Sequence, residues 1–387
     1  MSFSSHLKRI LRRSYIAQQR MIHGVDLHAA LFTSYGGETY SDNPRAVSEA
    51  LHRAAPDWKI YWVLDFEKHK QHIPIPDYIR VIKLQDKRAF FRAVATCGTW
   101  VTNFCFPDIP KGNKQFFIQT WHGDRAFKKI LYDSPFADGS MSVPEAIDGF
   151  CDLAVAGSDY GEMQYRSAFH YRGKILKLGT PRNDALVSGS KERAAEVRRY
   201  LGLQDNCRYL LYAPTLRRKN QYAYSAQPVG EIDLDRILDV LQKRDGLEWK
   251  CLLRGHPAVR GLTGVEQSSR FIDVSGYDDM TDLLLSADML ITDYSSCAGD
   301  FALLHRPIIL YQQDREVYMA TDRNFYFDMK DSPYRIAESQ AELEAIAAAF
   351  TEEEAWENCD AILRFYTTTE CGHASEELAR IILNRDF

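Results

Sequence analysis

Met289-Leu290-Ile291-Thr292-Asp293-Tyr294-Ser295-Ser296 joins a short apolar run to a cluster of hydroxyl-bearing residues. A run this brief reads as a strand buried on both faces. The serines after it suit the start of a helix, expected from about Ser296 to Leu304, with strand Pro307–Tyr311 next. Strand, helix, strand is a βαβ unit, which builds a parallel sheet.

Working outward, the same alternation recurs. Upstream lie strand Tyr209–Ala213, helix Asp233–Lys243, strands Trp249–Arg254 and Phe271–Asp273, and helix Asp279–Ser286. Earlier still, strands are expected at Leu27–Phe32, Lys59–Leu64, Ile79–Lys83, Thr99–Asn103, Phe116–Thr120, Leu153–Ala156 and Ile175–Leu178. Helices fall at Pro44–Ala54, Lys87–Ala95 and Tyr160–Phe169. A stretch poor in strand signals separates the two series between Asp184 and Cys207. The expected class is α/β, two Rossmann-like doubly wound domains facing across a cleft: 26–185 and 207–350. Residues 351–387, opened by Glu352, Glu353 and Glu354, are expected to form helices that pack back on the first domain.

A length of 387 residues fits two domains of the usual size of about 100–200 residues. Hydrophobic residues at 45% and charged residues at 26% exclude disordered and fibrous classes. A net charge of −5 offers no global positive field, so a nucleic-acid partner is not expected. No apolar run reaches the roughly 18 residues of a membrane span, and the N-terminus shows no apolar leader core. The eight cysteines form no CxxC pair and read as reduced, buried thiols of a cytosolic protein.

Charge is unevenly placed. Lys8, Arg9, Arg12, Arg13 and Arg20 precede the first acid, Asp26. Phe3, Leu7, Ile10, Leu11 and Tyr15 recur at helical steps, so residues 1–25 predict a helix basic on one side and apolar on the other. Such a helix either lies on an anionic membrane or packs on the protein.

Open α/β sheets bind ligands beyond the carboxyl ends of their strands. Gln119-Thr120-Trp121-His122-Gly123 is one such end. His122 is either a proton acceptor for a hydroxyl nucleophile or a hydrogen-bonded structural residue. Lys128 and Lys129 beyond it can neutralise an anion. Arg254-Gly255-His256-Pro257 offers a guanidinium fork and an imidazole for phosphate oxygens, or is a surface turn. Thr292, Asp293, Ser295 and Ser296 either ligate phosphate at a helix start or simply cap the helix. Pro181-Arg182-Asn183-Asp184 and Pro214-Thr215-Leu216-Arg217 are further strand ends carrying Arg. Gly36 and Gly37 allow close approach to the first strand, without a GxGxxG pattern. Asp278-Asp279 reads as a helix cap in preference to a metal site.

Together these segments, from Gly36 to Asp328, resemble the CDP-glycerol glycerophosphotransferase family of wall teichoic acid and capsular polymer synthesis. The markers are Trp121-His122-Gly123 with Lys128-Lys129, Gly179-Thr180-Pro181-Arg182-Asn183-Asp184, Tyr212-Ala213-Pro214-Thr215, Arg254 with His256-Pro257, the run from Asp273 to Pro307, and Phe325-Tyr326-Phe327-Asp328. The resemblance implies a GT-B architecture and transfer of a polyol phosphate from CDP-glycerol or CDP-ribitol to a hydroxyl, with release of CMP. It implies His122 and His256 as catalytic. Arg254, Thr292, Asp293, Ser295 and Ser296 would serve the donor phosphates, and Pro214, Thr215 and Arg217 the cytidine side. Gly36, Gly37, Trp121, Lys128, Arg182, Asn183 and Asp184 would line the acceptor side or the cleft. It implies no tightly bound cofactor or metal, a polyprenyl-diphosphate-linked saccharide or growing polymer as acceptor, and docking at the inner face of an anionic membrane. A GT-B glycosyltransferase using a nucleotide-diphosphate sugar is the alternative, and a non-catalytic scaffold of the same fold a third. Two positions depart from the family pattern: Asp124 and Arg125 replace a small pair after Trp-His-Gly, and Thr180 stands in an aromatic position.

Overall fold

The computed structural model describes residues 3–68, 73–104, 110–134, 151–215, 217–220, 223–225, 232–255, 269–321 and 324–386. Two compact units emerge. Unit 1 comprises Met1–Asp124, Gly139–Asp184 and Thr369–Phe387; unit 2 comprises Arg125–Asp138 and Ala185–Thr368.

Unit 1 is built on strands β1 (Asp26–Thr33), β2 (Lys59–Leu64), β3 (Ile79–Lys83), β4 (Cys97–Thr102), β5 (Phe116–Gln119), β6 (Leu153–Ala156) and β7 (Lys174–Lys177). They form one parallel sheet in the order β3-β2-β1-β4-β5-β6-β7. Strands β4, β5 and β6 are buried at every residue, as both faces are covered. Helix α1 (Phe3–His23) packs on α3 (Lys87–Thr96), seating Ile16 in the core, while α2 (Asp42–Ala54) lies beside β1. Helix α4 (Asp159–Ser167) starts where the Ser158 hydroxyl accepts the Gly161 N–H.

Unit 2 repeats the plan. After the short helix α5 (Asp184–Val187), helix α6 (Lys191–Tyr200) leads into β8 (Cys207–Ala213). A small antiparallel pair, β9 (Arg217–Asn220) and β10 (Ala223–Ser225), precedes α7 (Leu234–Asp245) and β11 (Glu248–Leu253). Next come β12 (Phe271–Asp273), α8 (Met280–Ser286), β13 (Met289–Thr292), α9 (Cys297–Phe301), β14 (Ile308–Tyr311), α10 (Arg315–Thr321), β15 (Ile336–Ala337), α11 (Gln340–Ala349) and α12 (Glu352–Phe365). The larger sheet runs β12-β11-β8-β13-β14-β15, all parallel. Its core joins Leu210, Tyr212, Ile237, Leu241, Trp249 and Ile291. The expected helix from Ser296 to Leu304 is shorter: α9 holds five residues and the chain tightens into a 3-10 turn at Ala302–Leu304.

Both sheets reverse their strand order beside their first strand, between β1 and β4 in unit 1 and between β8 and β13 in unit 2. Ligand crevices of doubly wound sheets open at such switch points.

The expected contiguous division changes in two places. The stretch after Asp124 packs within unit 2: Lys129 N–H donates to Asn324 O and Tyr326 N–H to Phe127 O. The tail is split, with α12 against the Ala302–Leu304 turn in unit 2 and α13 (Ala374–Asn384) against α2 in unit 1. Among the described residues seven cysteines are free and six of them buried. Burial pushes the Cys151 thiol up to about 12 and Cys297 to about 11.

Candidate functional site

In unit 1 the chain leaves β1 through a 3-10 turn at Tyr35–Gly37 in which Tyr35, Gly36 and Gly37 all take positive φ, 48°, 70° and 101°. A side chain at Gly37 would meet the Asp65 N–H region of the backbone at 3.2 Å. Two bonds hold Tyr35 in this uncommon conformation. Its N–H donates to Asn103 Oδ1 at 2.9 Å, and its hydroxyl donates to Asp42 Oδ2 at 2.8 Å. Asp42 Oδ2 also accepts from Arg182 Nη1 at 2.9 Å, a pair buried on both sides.

Beyond β5, Trp121 is likewise left-handed, with φ 50°. Gln119 Oε1 accepts its N–H at 2.9 Å, and its carbonyl accepts from Asn43 Nδ2 at 2.9 Å. Strain of this kind persists where the surroundings over-determine it, and it clusters at functional sites. It delivers the half-buried ring of His122, whose Nδ1 lies 2.7 Å from Asn103 O. Around that ring stand Trp121 at 4.0 Å, Tyr35 at 5.3 Å and Phe104 at 5.9 Å between centroids. A carbonyl can only accept, so Nδ1 carries the hydrogen, and in the neutral ring Nε2 is the basic nitrogen.

The structure thus brings together Gly36, Gly37, Trp121, His122 and Arg182. Arg182 is 7% exposed and supports the site through Asp42 and through its own N–H on Asn43 Oδ1 at 2.9 Å. Asn183 Nδ2 donates to Thr180 Oγ1 at 2.6 Å and Glu370 Oε1 at 3.0 Å. Asp184 serves the fold: its two oxygens accept from Ala374 and Ser375 N–H at 2.8 and 2.7 Å, starting α13. Burial raises its pKa against the lowering effect of those bonds. Lys128, expected at the acceptor side or the cleft, forms a backbone bridge with Phe325 within unit 2.

Both departures from the family pattern are absorbed by the fold. Asp124 accepts from Gly157 N–H at 2.8 Å and Ser158 Oγ at 2.6 Å in unit 1. Arg125, 0% exposed, pairs with Asp300 at 2.6 Å in unit 2. Thr180 donates to Glu370 Oε1 at 2.5 Å and offers its N–H to Oε2 at 2.8 Å.

At the switch point of unit 2, Thr292 Oγ1 donates to Ala213 O at 2.6 Å and Asp293 Oδ1 accepts Thr215 N–H at 2.9 Å. Arg217 donates to Asp293 at 2.9 Å, to Asp314 at 2.7 Å and to Thr215 O at 2.8 Å, and stacks over Tyr294 and Tyr318. Burial alone would lower its pKa, but the carboxylates of Asp293 and Asp314 outweigh that and raise it. Pro214 lies between β8 and this network, half-buried. Ser295 Oγ accepts the Cys297 N–H at 3.3 Å, while the half-buried Ser296 makes no side-chain cap bond. Arg254 spends Nη1 on the carbonyls of Val274, Ser275 and Tyr277, pinning the loop after β12. His256 lies outside the described residues. Asp279 caps α8 through Thr281 N–H at 3.0 Å.

Sequence reading missed Asp42, Asn43, Asn103, Glu370 and Asp314. Asn103 alone carried a signal, closing a predicted strand at the edge of the switch point.

Residues 15–384 match the CDP-Glycerol:Poly(glycerophosphate) glycerophosphotransferase family. A teichoic acid glycerol-phosphate transferase of Staphylococcus aureus is 32% identical over 374 residues, covering 91% of this chain and 92% of the relative. A teichoic acid poly(glycerol phosphate) polymerase of Staphylococcus epidermidis is 28% identical over 372 residues. That match covers 91% of this chain and 50% of the polymerase, so the chain spans half the polymerase's length. Among solved structures, the wall teichoic acid polymerase TagF, as a His-to-Asn variant soaked with CDPG, aligns with a TM-score of 0.81 and 27% identity. The alignment covers 98% of this chain and 96% of that one, and carries the GT-B-like class of two parallel-sheet α/β domains. The chain belongs to the CDP-glycerol:poly(glycerophosphate) glycerophosphotransferase family.

Proposed function

We propose that this member of the glycerophosphotransferase family moves a polyol phosphate, glycerol phosphate foremost, from a CDP-polyol to a hydroxyl of a lipid-linked acceptor in teichoic acid or related polymer synthesis. The observation that carries the reading is the His122 ring, pinned through Nδ1 at a strained strand end so that Nε2 is its basic nitrogen. The acceptor oxygen attacks the phosphorus that bears the polyol, and Nε2 takes the hydroxyl proton. The P–O bond to CMP breaks, and CMP leaves with that electron pair on its phosphate oxygen.

Ser295 and Ser296 serve the donor phosphates in this reading. Arg217 and Asp293 hold the cytidine-side loop, and His256 with Arg254 stabilises leaving CMP. Glycerol is favoured over ribitol because the Staphylococcus aureus relative, matched along 92% of its length, is a glycerol-phosphate transferase. A donor screen tests the assignment. CMP release from CDP-glycerol supports it, preference for CDP-ribitol moves the polyol, and UDP release from UDP-sugars overturns it in favour of glycosyl transfer. Mass spectrometry of products on a synthetic lipid-linked disaccharide identifies the acceptor.

The reaction would take place at the inner membrane face. No described helix is long and apolar enough to cross a membrane. Helix α1 exposes Leu7, Ile10, Leu11, Met21 and Ile22 beside exposed Lys8 and Arg13, the composition of an interfacial helix. Leu11→Glu with Ile22→Glu should abolish co-sedimentation with phosphatidylglycerol vesicles; unchanged binding sinks the docking role.

A further inference from the structure

We infer that Asn103 is a positioning residue for His122: it selects which imidazole nitrogen carries the proton and couples the ring to the Tyr35–Gly37 turn. The inference rests on the reading of His122 as the base, and it adds a residue that no sequence motif named.

Asn103 follows β4 at the switch point of unit 1 and is 0% exposed. Its two acceptors serve two different elements. The side-chain Oδ1 takes the Tyr35 N–H at 2.9 Å, and the main-chain oxygen takes His122 Nδ1 at 2.7 Å. Because the Tyr35 group is a donor, the amide must face it with oxygen, which settles the orientation of Asn103. Its Nδ2 is then a buried donor without a hydrogen-bond partner among the described residues. Such a group is unfavourable to bury. What the amide supplies to the protein is therefore its acceptor, held on a turn that would otherwise relax from three successive positive φ values.

Several described groups face the imidazole. From the turn comes Tyr35, with Asp42 and Arg182 behind its hydroxyl; from the end of β4 comes Phe104; from its own strand end comes Trp121. A shift of the turn moves the Tyr35 ring against His122 and loosens the Nδ1 contact, freeing the ring to exchange tautomers.

The substitution Asn103→Asp keeps the acceptor for Tyr35 and removes no bond made within the described residues. Asn103→Leu removes the acceptor. Nitrogen-15 NMR of histidine-labelled full-length protein reads tautomer and titration directly, with His122→Asn identifying the resonance. The wild type should show the Nδ1–H tautomer. Asn103→Asp should keep it and raise the imidazole pKa by about one unit, since a nearby carboxylate favours the charged ring. The acid limb of kcat/KM for CMP release from CDP-glycerol should move up in pH by the same amount. Asn103→Leu should give mixed tautomers and at least a tenfold lower kcat, with KM for CDP-glycerol unchanged. An Nε2–H tautomer in the wild type overturns the inference, as does an Asn103→Leu protein with wild-type tautomer and kcat. Wild-type turnover by His122→Asn defeats the base reading instead, and the NMR titration still judges Asn103 on its own.

Discussion

The two switch points make the same hydrogen bond with different charge. After β4, Asn103 Oδ1 accepts the N–H of Tyr35 beyond β1, at 2.9 Å; after β13, Asp293 Oδ1 accepts the N–H of Thr215 beyond β8, also at 2.9 Å. A neutral amide needs no counter-charge, and its main-chain oxygen remains for His122. A buried carboxylate needs a partner. Arg217 supplies it and is in turn held by Asp314, Tyr294 and Tyr318. One site presents a titratable ring, and the other ties its charges to one another. Residue types name the chemistry a strand end can offer, whereas their bonds decide which side chains remain to meet a ligand.

The largest effects should separate the two sites by kind. His122→Ala should lower kcat for CMP release by about 10²–10⁴-fold while leaving urea stability within about 0.5 kcal/mol, as the ring is half-buried. Arg217→Met should do the reverse in emphasis. It strands Asp293, 2% exposed, without its cation, and unfolding should lose about 3–5 kcal/mol. A stable Arg217→Met protein would break the contrast, because the network would then be binding machinery held ready for a ligand.

The sheet was legible because parallel strands buried on both faces read as continuous apolar runs, and Met289–Ile291 and Leu153–Ala156 are of that kind. The strand ends were legible for the same reason: polar residues stop those runs. Their partners were not. Asp42 meets Arg182 across 140 positions and Thr180 meets Glu370 across 190, and no local pattern announces such pairs. Nor does anything local mark the passage from Asp124 in one unit to Arg125 in the other, so the sequence did not show that Lys128 lies in a different unit from His122. The α9 helix fell short of expectation at its C-terminal end, where Ala302–Leu304 tighten into a 3-10 turn closed by left-handed His305, φ 52°.

Ser296 is the exception within unit 2, and it sharpens the contrast on a smaller scale. It stands at the cap position of α9 without a side-chain cap bond. Ser296→Ala should therefore leave stability within about 0.5 kcal/mol. If its hydroxyl meets a donor phosphate, a charge-assisted bond worth about 1.5–3 kcal/mol is lost. Donor KM then rises by roughly 10–100-fold. An unchanged KM would make the donor site depend on residues other than this serine.

Asp184 is the converse exception, a unit 1 motif residue that behaves as scaffold, and it should give the smallest effect. Asp184→Asn keeps one acceptor for the start of α13 and loses the other, a change of about 1 kcal/mol or less. The pH dependence carries more information than the size. Burial raises the folded-state pKa of Asp184, and the bonds from Ser375 and Ala374 only partly oppose it. Between the ordinary carboxyl value near 4 and the raised one, the native state holds more protons than the unfolded chain. Its contribution to stability is then full below that window and declines as pH rises through it. The stability of wild type relative to Asp184→Asn, from urea unfolding at steps between about pH 4 and pH 7, should accordingly fall with rising pH. A difference that grows instead would mean that the two N–H groups of α13 favour the carboxylate more than burial disfavours it, and Asp184 would join the charged anchors typified by Asp293.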